Sequence, residues 1–143
     1  MNLNSAQGRF AGVKKALEAA NLPFNDEQIY YGDYDIESGK RGAKKLLRNV
    51  SAIFAFNDLQ AYGVIEVARD ENLRIPDDVS LIGFDDIFYS SVLETKLTTV
   101  KQPIEVMCKA TCDLLLKLID NPRHQKSMSF PGTLIVRDSV KAK

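Results

Sequence analysis

The sequence predicts an α/β fold in which a parallel sheet is covered by helices. Two observations carry this. Runs of strand length that are almost wholly apolar, Ala52 to Phe56 (AIFAF) and Val79 to Phe84 (VSLIGF), read as buried strands of a parallel sheet. Between and around them lie segments with apolar residues at helical spacing. Strand and helix in alternation imply right-handed βαβ units. Each strand also ends in polar residues, so those tips are expected along one edge of the sheet, where open α/β sheets bind ligands.

Asn4 or Ser5 can cap a first helix carrying Phe10, Val13, Leu17 and Ala20, which Asn21 and Pro23 end. Gln28 to Tyr31 reads as a short strand followed by the loop Gly32-Asp33-Tyr34-Asp35. Ser38 is expected to cap a second helix with Ala43, Leu46, Leu47 and Val50 on its inner face. A third helix, from about Leu59 to Glu71, is apolar almost all round and implies a second partner surface. Asn72 can take the left-handed conformation that closes it. After the central strand comes an apolar-aromatic loop, Ile87 to Leu93, and then an extended segment, Leu97 to Lys101. Pro103 suits the start of a fourth helix with Ile104, Met107, Cys108, Thr111, Leu115 and Leu118 on one side. A last strand, Thr133 to Val136, leads into a polar tail.

Composition excludes several function classes. The 143 residues fit one ordinary domain, and 19 basic residues balance 19 acidic ones. No overall field points to nucleic acid or a membrane surface, and Lys14-Lys15 and Lys44-Lys45 read as solvated helix faces. No apolar run reaches membrane-spanning length and the N-terminus lacks a signal-peptide core, so a cytoplasmic location is expected. Cys108 and Cys112, spaced i, i+4, are expected to be reduced core residues. With His124 as the lone histidine, in a polar loop, neither a zinc site nor a histidine-based triad is supported.

The chemistry gathers at the strand tips. Asp85-Asp86 could be a metal or phospho-acceptor pair, or one aspartate could bind a ligand while the other holds the turn. There is no glycine-rich phosphate loop and no nucleophile elbow. Asp58 is expected to cap the third helix, leaving Asn57 to point outward as donor and acceptor. Tyr34 either meets a ligand or covers the sheet edge. Gly8 and Gly12 beside Arg9 suggest close backbone approach there.

The segments GRFAGVKKAL, GDYDIESGKRGAKKLL, AIFAFNDLQAYGV, LRIPDDVSLIGFDDI, LTTVKQPI and TLIVRDSV occur in this order over nearly the whole chain. In them the sequence resembles the C-terminal half of LacI/GalR-family transcription regulators. The resemblance implies a three-layer αβα, periplasmic binding protein-like I fold with a flavodoxin-like subdomain. It implies that a sugar or nucleobase effector binds in a cleft, contacted by Arg9, Tyr34, Asn57 and Asp85, with Ser5 and Gln102 able to join. Asp86 is then structural. The third helix and the following loop match the family's dimer surface, through Leu59, Tyr62, Ile65, Phe88, Tyr89, Val92 and Leu93. Residues 1–101 and 132–143 would form the C-terminal effector-binding subdomain. Residues 102–131 would belong to an N-terminal subdomain otherwise missing, and the DNA-binding head is absent too. The chain is therefore expected to be a fragment that binds effector weakly and reaches operator DNA only through the head of its full-length parent. No catalysis, cofactor, metal or membrane partner is implied. A sugar-binding protein of a transport system shares the fold but should carry a secretion signal. A phospho-accepting receiver domain places its acidic pair nearer the start of the chain.

Overall fold

The computed structural model describes residues 4–123 and 126–141; His124 lies outside the described residues. Helix α1 (Asn4–Ala19) ends where Asn21 turns left-handed at φ 53°. Asn25 then caps a 3-10 turn (Asp26–Gln28) with a reciprocal capping box, its side chain and that of Gln28 each accepting from the other's end of the turn. The strand expected at Gln28 to Tyr31 does not form. The capping box draws Gln28 into the turn, and the Ile29 carbonyl accepts from Lys45 Nζ at 3.1 Å rather than from a neighbouring strand.

Helix α2 (Ile36–Leu46) is capped by Asp35, whose carboxylate accepts from the Ser38 N–H at 2.6 Å. Ser38, expected to be the cap, is instead a buried donor inside the first turn. Strand β1 (Ala52–Phe54) leads to helix α3 (Asp58–Asp70), and Asn72 closes α3 at φ 59° as expected. Strand β2 (Ser80–Asp85), a 3-10 turn (Phe88–Ser91), strand β3 (Thr98–Lys101), helix α4 (Ile104–Asp120) and strand β4 (Thr133–Ile135) follow.

The sheet order is β1-β2-β3-β4. β1 and β3 both run parallel to β2, with Ile53 opposite Leu81 and Asp85 opposite Lys101. β4 is antiparallel to β3, with Leu134 opposite Val100. The sheet is thus mixed, with the parallel part holding the predicted βαβ order.

β2 was expected to be buried on both faces, and it alternates instead. Leu81 and Gly83 are buried while Ile82 and Phe84 are half-buried. α3 seals one face, and α1 covers the other only in part. β1 lies at the sheet edge, with Ala52 exposed. The core consists of Ala61, Val64, Val67 and Ala68 of α3 against Ala43 and Leu47, Ala55, Val79, Leu81 and Leu97. Part of the apolar excess of α3 is taken up by α2. A Cβ on Gly39 would stand 2.2 Å from the Gln60 carbonyl oxygen, and one on Gly63 would stand 2.3 Å from that of Ile36. The two helices therefore touch through their backbones.

The polar tail after β4 is pinned: Ser139 is buried, its Oγ donates to the Leu81 carbonyl at 2.6 Å and accepts from the Thr98 N–H at 2.8 Å. α4 has no buried residue, and Cys108 and Cys112 are exposed, not core. The apolar stripe of α4 is real, but among the described residues no element packs across it closely enough to bury it.

Candidate functional site

The C-terminal end of β2 gathers the candidate residues. Asp85 Oδ1 accepts from Gln102 Nε2 at 2.6 Å and lies 3.8 Å from Arg9 Nη2. The Arg9 guanidinium covers the Phe84 ring at 3.8 Å from its centroid, a cation–π contact, and Nη1 donates to the Phe56 carbonyl. α1 contributes the arginine, β2 the carboxylate, and the segment between β3 and α4 the amide. Burial pushes the Asp85 carboxyl above its ordinary range, while the Gln102 bond and the Arg9 charge act against that rise. An open concavity of about 350 Å³ adjoins this group, lined by Asp85, Asp86, Lys101, Gln102 and the first turn of α4.

The Tyr34 loop is brought to the same edge without a strand beneath it. Asn57 Nδ2 donates to the Tyr34 carbonyl at 3.0 Å, and Gln60 Nε2 donates to the Asp33 carbonyl at 2.7 Å. Asn57 was expected to point outward and Asp58 to cap α3, and neither does so. Asn57 is the cap, accepting from the Gln60 N–H at 2.8 Å, and both ends of its amide are used internally. Asp58 is fully buried. Its carboxylate accepts from Thr99 Oγ1 at 2.6 Å, Ser90 Oγ at 2.7 Å and the Ile87 N–H at 3.0 Å. The reason is geometric: the residue before the helix has the extended φ of −152° a cap needs, and the first helical residue faces the sheet. The Tyr34 hydroxyl is buried with no hydrogen-bond partner among the described residues. Ser5 is exposed on α1.

Gly8 and Gly12 do not mark a close approach, since a Cβ on either would meet nothing within 4 Å among the described residues. The two carboxylates of the acidic tip diverge. Asp85 turns to Arg9 and Gln102, and Asp86 accepts from Arg137 Nη2 at 2.6 Å. Among the described residues no cluster of three or more histidine, cysteine or acidic side chains could hold a metal. Phe84, the Phe56 carbonyl and Arg137 were not anticipated. Phe84 adjoins Asp85 and could have been found from that; Arg137 lies 51 residues from Asp86 with no local signal.

A fold of this order, with a polar group and an aromatic ring at the strand ends, is that of a small-ligand-binding domain. The family model for the periplasmic binding protein-like domain matches residues 2–140, and the chain belongs to that family. Its relatives are LacI/GalR-type transcriptional regulators, of which it corresponds to the effector-binding part. HTH-type transcriptional regulator MalR of Clostridium butyricum is 37% identical over 134 residues, 92% of this chain and 40% of that protein. The structure of a transcriptional regulator CelR–cellobiose complex superposes with a TM-score of 0.86 at 31% identity, over 92% of this chain and 41% of that one. A sugar-binding LacI-family regulator from Escherichia coli, complexed with phosphate, gives a TM-score of 0.86 at 32% identity, over 100% of this chain and 52% of that one. The chain thus spans about half or less of the length of these relatives.

Proposed function

We propose that this chain is the effector-binding and dimerisation portion of a LacI-type DNA-binding transcriptional regulator, with a sugar or related small molecule as effector. The observation that carries this reading is the Arg9–Asp85–Gln102 group beside the open concavity at the end of β2. A carboxylate, a guanidinium and an amide offer the directed acceptors and donors that vicinal hydroxyls need. Tyr34 supplies a ring at the same edge, Asn57 holds its loop, and Ser5, exposed on α1 one helical turn before Arg9, can join. The bound cellobiose named for one structural relative supports a sugar as the effector.

Leu59, Tyr62, Ile65, Phe88, Tyr89, Val92 and Leu93 form the homodimer surface in this reading, and Phe88 and Tyr89 are exposed and stacked edge to face at 5.6 Å. Residues 102–131 belong with a first subdomain, which accords with the bare apolar face of α4. The parent acts in the cytoplasm, without catalysis, and reaches operator DNA through its own head; no helix among the described residues is long and apolar enough to cross a membrane. The isolated chain binds no operator DNA, and sequence-specific retardation in a gel-shift assay would overturn this.

The deciding experiment is a thermal-shift screen of mono- and disaccharides and nucleobases on the full-length parent. One compound is expected to raise the melting temperature by mass action, and Asp85→Asn is expected to weaken it roughly 10- to 100-fold, the loss of one to two charge-assisted hydrogen bonds. Undiminished binding by both Asp85→Asn and Arg9→Ala would sink the site assignment. Phe88→Ser is expected to shift the dimer towards monomer in sedimentation equilibrium without lowering effector affinity.

A further inference from the structure

Asp85 and Asp86 both have positive φ, 116° and 55°. Neither is glycine, and a Cβ disfavours that region. Two such residues in succession persist only where the surroundings over-determine the backbone. The turn also changes where Asp85 faces. The two-residue period of β2 would continue the Leu81 and Gly83 face. On that face a Cβ at Gly83 would stand 2.3 Å from Asp58 Oδ1. Asp85 instead meets Arg9, which lies over Phe84 of the opposite face, and Gln102.

The groups that hold this turn come from distant parts of the chain. Arg137 donates Nη2 to Asp86 Oδ1 at 2.6 Å and Nη1 to the Leu97 carbonyl at 2.8 Å. The ion pair is sheltered, with side-chain exposures of 17% and 11%. One residue further on, the Ile87 N–H is held by Asp58, which is itself fixed to β3 through Thr99 and to the following turn through Ser90.

We propose that Arg137 and Asp58 are positioning residues of the effector site: they clamp the left-handed turn on its far side and so aim the Asp85 carboxylate at Arg9 and Gln102. Neither touches the effector. The functional meaning rests on the effector reading of Asp85, whereas the geometry does not. The guanidinium suits this role because its rigid fork reaches two acceptors at once, which an ammonium cannot do in the same plane.

The test is amide exchange and side-chain NMR on the 143-residue chain. In Arg137→Gln the Ile87 amide is expected to exchange roughly tenfold faster through local opening, while Val64 in α3 stays within about twofold. The Gln102 side-chain amide signals are expected to move to solvent-like positions, and Arg137→Lys to fall between. If Ile87 and Gln102 are unchanged, or move only as far as Val64, the proposal fails. If both variants unfold, Arg137 is general scaffold and the proposal fails as well; Asp58→Asn then reports on the second clamp by the same signals. Asp85→Asn in the parent separates the two ideas. Should it leave a sugar response intact while Arg137→Gln still frees Gln102, the effector reading falls and the clamp stands.

Discussion

On the α3 side of the sheet Leu81 and Leu97 are 0% exposed, and the polar atoms buried with them at Asp58 and Ser139 all have partners. Along α4, residues as apolar as these stand open: Leu115 58%, Leu116 62% and Ile119 69%. Both regions show helical apolar spacing. They differ in whether the described residues include a covering surface. Periodicity therefore names a face that needs a partner, and only packing tells where the partner is. For this chain the contrast separates a packed side of the sheet from a helix whose apolar face stays bare among the described residues.

The contrast can be broken most sharply at Asp58. Asp58→Ala leaves Thr99, Ser90 and the Ile87 N–H without their buried acceptor and is expected to cost about 3–5 kcal/mol in urea unfolding. A loss below about 1 kcal/mol would mean that water reaches this region and that it is not the sealed side. Next comes Leu81→Ala, expected to cost about 2–5 kcal/mol by the same measurement because its site is closed on all sides. Leu115→Ala and Leu116→Ala are expected to change stability by less than about 0.5 kcal/mol in a monomeric sample. A larger cost there would show that α4 folds back on the domain.

The smallest effects concern titration at the rim. Arg74 grips Asp78 through its guanidinium and backbone N–H and holds its carboxyl down at about 2. A folded pKa below the ordinary 3.8 stabilises above that value and loses its contribution as pH falls towards 2. Asp85 has the opposite sign. Its carboxyl is raised, so ionisation opposes folding as pH climbs past 3.8, and the penalty is complete above the raised value. Melting temperatures followed across the acid range are expected to lose part of their acid-side fall in Asp78→Asn. In Asp85→Asn they are expected to rise relative to the parent as pH increases.

How much of this was legible in the sequence depended on range. Apolar spacing located α1, α3 and α4, and the run VSLIGF located the central strand, because each signal sits within a few residues. Arg9, Asp85 and Gln102, which the family likeness names as effector contacts, lie together at the end of β2. Caps were harder. Asp35 and Ser38 are both good caps three positions apart, as Asn57 and Asp58 are one apart, and only the backbone at each start decides between them. The strand expected at Gln28 to Tyr31 gives way to the capping box of Asn25 and Gln28, whose side chains take the local backbone N–H groups. The grips of Arg137 on Asp86 and of Asp58 on Thr99 span 51 and 41 residues, and nothing local announces either.

The backbone contact at Gly39 and Gly63 has a further consequence. Both helices begin at the site: Asp35 starts α2, Asn57 starts α3, and Asn57 holds the Tyr34 loop between them. The spacing of the two helix starts is thus set by main-chain atoms in contact, which neither compress nor change rotamer. A dimension fixed in this way is a tolerance of the scaffold. Side chains at the helix starts can be exchanged while the frame that spaces them keeps its measure.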